Sequence, residues 1–265
     1  MIWLIDTSYV AYRSFFSMPA LGENAVMFGA ARVATQIYDM DPQATMVWCF
    51  DVGEPKRTRL DPEYKKPRKE KRPKHEGIDG FYKSLTKFRT IQLEEMGFNH
   101  ILWEKGYEAD DIIASICKDP RCQNRIINIV SADHDLYQLL REEVLMYKLK
   151  TGTFYTVQHF KEEFGINPSE WSKVKAIAGC NSDNVKGIKG VGEKKAIAFL
   201  TNKLKETTKA YQAIRDGKQQ CLENFKLVDL PLEGTPSYVV GYDTVDTRRA
   251  NQWLKDNSIR DLRFS

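Results

Sequence analysis

Carboxylates recur in this chain at points where they could do joint chemistry. Asp6 closes the apolar run MIWLI, Asp51 closes TMVWCF, and Asp133 and Asp135 follow RIINIV within SADHD. Glu108, Asp110 and Asp111 stand in GYEADDIIASI, after the run HILW and before an apolar stretch. Taken alone, GYEADD reads as an acidic helix start, since a helix N-terminus favours negative charge by about 0.3–1 kcal/mol per group. That accounts for one or two residues, not for four apolar runs that each lead into acids. Carboxylates gathered in one place repel one another, and raised pKa values neutralise only part of the charge. Divalent cations would neutralise it well, and an all-oxygen set suits Mg²⁺ or Mn²⁺. So many acids point to two ions roughly 3.5–4 Å apart, the arrangement of two-metal phosphoryl transfer.

The elements that must position these residues are legible as alternation. Short apolar runs at 1–5, 45–50, 100–103, 125–130 and 144–149 read as buried strands, with helical patterns at 26–39, 78–96 and 108–118 between them. This predicts an α/β fold with a mostly parallel central sheet flanked by helices. In open α/β sheets the ligand crevice lies outside the carboxyl ends of the strands, which is where the acids fall. From about residue 158 helices and turns take over. PSEWSKVKAIAG (168–179) has a proline start and a glycine stop, and a further helix is expected over 191–204. The expected organisation is an α/β core over 1–157 and a helical region over 158–265, with weak patterning in the last thirty residues.

Two basic features suggest the substrate. Residues 56–74, KRTRLDPEYKKPRKEKRPK, hold ten basic and three acidic side chains, which leaves the rest of the chain net negative although the whole carries +4. Such a block is usually a solvated face. This one is long, one-signed and interleaved with Tyr64 and prolines, so contact with a polyanion is the sharper reading. It falls between the second and third acidic groups and could cover a site there, clamping a single strand. The second feature is GIKGVGEKKA (187–196). A phosphate loop of the GxxxxGK[ST] type fails, because Glu193 follows Gly192 where the lysine would stand. A helix-hairpin-helix turn over about 184–200 fits better. Gly190 and Gly192 let the backbone approach a phosphate, and Lys194 and Lys195 add charge without sequence preference.

Composition narrows the classes. The chain has 265 residues, enough for one large α/β domain or a domain with a smaller lobe. No window reads as a membrane span, and the start shows no leader pattern. Five cysteines without a CxxC pair argue against zinc and for reduced thiols in a cytosol. The DxD of ADHD also suits phosphatases acting on small molecules, but that leaves the basic block and the glycine turn unused.

The ordered set of motifs is more specific than any one of them. Asp6 with YRSFF after it, FDVGEPKRTRLDPEYKKPRK, YEADD, SADHDLYQL and SDNVKGIKGVGEKKA resemble the 5′-nuclease family: the 5′→3′ exonuclease domain of bacterial DNA polymerase I, the phage 5′-exonucleases and the flap endonucleases. The resemblance covers roughly residues 1–230, and the chain's small size looks most like a phage enzyme. It implies a PIN-like core and Mg²⁺-dependent hydrolysis near the 5′ end of branched, flapped or nicked DNA by a monomer in the cytoplasm, with RNA primers as further substrates. It also implies roles. Asp6, Asp51, Glu108, Asp110 and Asp111 resemble first-metal ligands, and Asp133, Asp135 and Asp183 resemble shared or second-metal ligands. Tyr12 resembles the aromatic on which a terminal base stacks. Lys65 and Arg68, with Tyr64 beside them, resemble the basic base of a helical arch, here about 64–82. Lys175 and Lys194 resemble further DNA-contacting lysines, and the glycine hairpin of this family can hold K⁺. One departure stands out. The family pattern near residue 180 is usually G-D-x-x-D-N, and this chain has Cys180 in the first acidic place and Asp183 in the second. That weakens the expected second metal site and keeps open a structure-specific DNA-binding protein with weak or no nuclease activity.

Overall fold

A computed structural model of the chain describes residues 1–67 and 78–265. The sheet order is β3-β2-β1-β4-β5-β6, with β1 at Ile2–Asp6, β2 at Thr45–Phe50, β3 at His100–Trp103, β4 at Ile127–Val130, β5 at Val144–Lys148 and β6 at Thr153–Tyr155. The first five strands in this order run parallel, and β6 pairs antiparallel with β5. Continuous apolar runs made these strands readable: every residue of β1, β2 and β4 is buried, as expected for a parallel sheet covered on both faces. β6 was not expected. Two of its three residues are exposed, so it carries no buried run to read.

Register decides what the sheet presents. Asp6 pairs with Cys49, Ile5 with Val130 and Phe50 with Trp103, so the strands deliver their carboxyl ends to one edge. Helices cover the faces: α1 (Thr7–Ser17), α2 (Asn24–Met40) and α3 (Ile78–Lys87) on one side, α4 (Ala109–Lys118) on the other. The helix expected over 78–96 is not regular, because a π-turn over Phe88–Gln92 interrupts it.

The chain after 157 adds α5 (Val157–Phe164), α6 (Trp171–Ala178), α7 (Glu193–Leu200), α8 (Lys209–Asp216), α9 (Lys218–Val228) and α10 (Thr247–Asp256). Trp171, Val174, Ile188, Ala196 and Ile214 share one apolar cluster with Ile2, Val47 and Ile112 of the sheet and α4. α10 returns to the opposite face, where Ala250, Trp253 and Leu254 are buried with Trp48 and Met96. Among the described residues no helix is long and apolar enough to cross a membrane. The arch expected over 64–82 falls largely on 68–77, which with Arg68 lies outside the described residues.

Candidate metal centre and nucleic-acid cleft

Each strand exit fixes its acid through a neighbour. The Asp6 carboxylate accepts the Tyr9 N–H at 2.9 Å, which caps α1, and the Ser131 hydroxyl at 2.9 Å. Asp51 accepts the Ala109 N–H at 2.8 Å, tying the end of β2 to the start of α4. Asp133 accepts the Asp135 N–H at 2.8 Å and so opens the turn that carries Asp135. Backbone donors that ordinarily satisfy a helix or turn start therefore also aim these carboxylates.

Proximity and burial oppose ionisation here. Burial pushes the Asp6 carboxyl up to about 7, with Asp51 adding repulsion. Asp110 is held well above the usual carboxylate range by burial, then by Asp133 and Asp6. Burial and Asp133 push Asp135 up to about 6. This is what a cation site looks like when its charges face one another, and the donors are hard oxygens suited to a divalent ion. Asp6, Asp51, Asp110 and Asp133 are the residues that could hold one. Asp135, Cys180 and Asp183 form a second candidate group, with one donor atom from each lying within 4.8 Å of the others.

Two expected members serve differently. Asp111, expected as a metal ligand, is fully buried and points at Arg57: its Oδ2 and Oδ1 receive the guanidinium at 2.6 and 2.7 Å. The same carboxylate accepts the Glu108 and Leu232 N–H groups at 3.1 and 2.8 Å, so its acceptor positions are spent on holding α4, Arg57 and the 230s loop together. Asp111 thus closes a capping box at the start of α4, with Glu108 as its N-cap. Glu108 is intermediate. Burial alone would raise its pKa, but Lys65 and Arg57 outweigh that and hold it below the usual value.

Tyr64, expected at the DNA surface, is 3% exposed, and its hydroxyl donates to Glu108 at 3.0 Å and to Asp183 at 3.3 Å. It orients acids. Lys65 adopts a φ of 53°, uncommon for a residue with a side chain, and is pinned there by its N–H donating to the Asp183 carbonyl at 2.8 Å. Its ammonium bonds Glu108 and lies 3.7 Å from Asp183. Lys175, expected on the DNA, is buried, with its ammonium 3.2 Å from Asp135 and 3.5 Å from Glu193. It supplies positive charge to the second group and links it to the start of α7. Cys180 donates its thiol to Asp135 at 3.7 Å, and burial pushes that thiol up to about 11, so it stays protonated near neutrality.

A cleft of about 870 Å³ opens beside Asp51, lined among others by Glu108, Lys65, Tyr12, Tyr82 and Arg89. The Tyr12 ring packs against Phe81 with centroids 4.7 Å apart, and its hydroxyl lies 2.8 Å from that of Tyr82. Gly190 and Gly192 are exposed on the turn before α7. Gly190 has a φ of +78°, Lys195 folds back to its carbonyl at 2.7 Å, and Lys194 is exposed. Sequence reading missed Arg57, which looked like one more cation in a basic run, and Ser131, which had no distinguishing signal.

Residues 1–165 match the model of the 5′-3′ exonuclease N-terminal, resolvase-like domain. The chain is 30% identical over 242 residues to a 5′-3′ exonuclease of Aquifex aeolicus, covering 86% of this chain and 81% of that protein. It is 31% identical over 208 residues to DNA polymerase I of Bacillus subtilis, covering 74% of this chain but 23% of the polymerase, so it spans about a quarter of such relatives. In fold it is similar to bacteriophage T5 5′-exonuclease with zinc bound, at a TM-score of 0.72 and 21% identity, covering 87% of this chain and 89% of that one. It is likewise similar to the T5 D15 flap endonuclease in a pseudo-enzyme–product complex with DNA and metal ions, at 0.70 and 19%, covering 96% and 97%. With a family model spanning well over half of its length and a relative of comparable size behind it, the chain belongs to the 5′-3′ exonuclease family.

Proposed function

We propose that this chain is a divalent-metal-dependent, structure-specific 5′ nuclease that hydrolyses phosphodiesters near the 5′ ends of flapped, branched or nicked DNA. The observation that carries this reading is the delivery of mutually repelling carboxylates from separate strand ends to one edge of the sheet, beside a cleft that Asp51 and Glu108 line. The hard oxygen donors favour Mg²⁺, with Mn²⁺ able to substitute. Divalent ions held by Asp6, Asp51, Asp110 and Asp133, with Asp135 and Asp183 for a second, would supply Lewis-acid activation and neutralise charge developing at phosphate.

The chain's own residues do the rest. Arg57 and Tyr64 hold Glu108 in place, so the acids keep their arrangement when phosphate arrives. Lys65, already beside Glu108 and Asp183, offers a positioned cation to the scissile phosphate. Arg68 is its proposed partner. Tyr12, on the cleft wall, offers an aromatic face to a terminal base. The helices around the Gly190–Gly192 turn act as a helix-hairpin-helix, with Lys194 and Lys195 contacting duplex phosphates and the turn as the proposed K⁺ site. Cys180 favours a second reading, a DNA-binding protein with little nuclease activity. One experiment separates them: a 5′-flap duplex incubated with Mg²⁺, with Mn²⁺ and with EDTA, the products sized and the complexes resolved on a native gel. Metal-dependent release of a defined 5′ fragment is expected; a shifted complex with no cleavage in either metal would favour the second reading.

A further inference from the structure

Arg89 is a cation without an assigned use. It lines the same cleft as Asp51 and Glu108, yet among the described residues none gives it an ion pair, and its Nε is buried without a hydrogen-bond partner. Buried guanidinium donors are ordinarily satisfied, and each exception calls for an explanation. Two features fix this side chain. Its guanidinium lies over the Trp103 ring, 4.9 Å from the centroid, and Trp103 is 48% exposed at the end of β3. Arg89 also sits within the π-turn Phe88–Gln92, an irregularity that recurs at functional sites. Among the described residues the other cation lining this cleft is Lys65, which lies beside Glu108 and Asp183.

We infer that Arg89, placed over the Trp103 ring, is a phosphate-binding residue for the unpaired 5′ strand. A planar guanidinium presents a fork of donors that matches phosphate oxygens, and contact with an aromatic ring restricts its motion. The occupant we assign is a single strand, because a cleft of about 870 Å³ has the size of a small-molecule pocket. The inference rests on the nuclease reading for its substrate and goes beyond it by giving the strand a contact apart from the acidic centre.

The test is equilibrium binding in EDTA of a 5′-flap duplex and of the same duplex without the flap, across a salt series. Arg89→Gln should weaken flap binding about tenfold. It should also flatten the log–log salt slope by about 0.7, the loss of one single-strand phosphate contact, and leave the flapless duplex unchanged. Trp103→Leu should weaken flap binding by a smaller factor with the slope kept, since the charge remains. Arg89→Lys should keep the slope but lose part of the affinity, which serves if the glutamine variant melts early. An unchanged slope and affinity in Arg89→Gln, or equal weakening on both duplexes, would overturn the inference. Wild-type cleavage separates this from the parent reading. A wild type that cleaves with an indifferent Arg89→Gln sinks only the inference; one that binds the flap through Arg89 but never cleaves sinks only the nuclease.

Discussion

Asp110 and Asp111 are adjacent in sequence and carry the same side chain, yet they have opposite tasks. Asp110 faces Asp133 and Asp6, whereas Asp111 is neutralised by Arg57. Asp110→Asn should abolish cleavage while leaving flap binding intact or tighter, because a proposed metal ligand and a phosphate-repelling charge are both removed. Asp111→Asn should instead strike stability. It leaves the buried Arg57 guanidinium short of its counter-charge, a change that typically costs about 3–5 kcal/mol and is read as a fall in Tm. Equal melting temperatures for the two variants would contradict this division. Cys180 permits a second prediction at the same scale. Its protonated thiol is a poor ligand for Mg²⁺, and Lys175 adds positive charge beside Asp135. Cys180→Asp should therefore lower the Mg²⁺ concentration for half-maximal cleavage; an unchanged or raised requirement would show that the thiol does not limit the site.

At the scale of elements, the segment from 179 to 192 is held by glycines of two kinds. Gly179 has a φ of +84°, and a Cβ there would meet the Gly187 nitrogen at 2.3 Å and the Val185 carbonyl oxygen at 2.6 Å. The short pairing of 179–180 with 185–186, which carries Cys180 and flanks Asp183, depends on that closeness. Gly190 also has a positive φ, but a Cβ there meets nothing. Gly179→Ala should thus prevent the pairing and lower thermal stability severely. Gly190→Ala should cost only the left-handed backbone penalty of about 1–2 kcal/mol and show its effect mainly in duplex binding. Comparable melting curves would refute the packing argument.

For the molecule as a whole, the acidic edge sets the response to pH. A carboxyl whose pKa is higher folded than unfolded binds its proton more tightly in the folded chain. Its stabilisation is complete below about pH 4 and is lost as pH rises through the folded values, about 6 for Asp135 and about 7 for Asp6. Glu108 has the opposite sign, since its pKa is lowered, and it matters only in acid. Metal-free protein should therefore lose Tm from pH 5 to 8. Saturating Mg²⁺ should raise Tm more at pH 8 than at pH 6, because the ion takes the place of the protons. An equal metal increment at both values would mean that the carboxyls do not share the ion.

Much of this was present in the chain's own order. Continuous apolar runs dictate buried parallel strands, and acids placed just after them must gather at one sheet edge once the strands align. The strand assignments and the crowding of Asp6, Asp51, Asp110 and Asp133 follow from that alone. The short antiparallel β6 and the helix Thr247–Asp256 were not legible, since the former buries too little and the latter is recruited by packing against the 88–98 segment. Side-chain direction was the larger gap. Sequence fixes which residues stand at a helix start, not which way a carboxylate turns or which distant cation meets it. That Asp111 pairs with Arg57, 54 positions away, that Tyr64 orients Glu108 instead of facing solvent, and that Lys175 lies among acids are products of long-range contact. Buried charges must find partners wherever the fold brings them, and only the tertiary structure decides which partners those are.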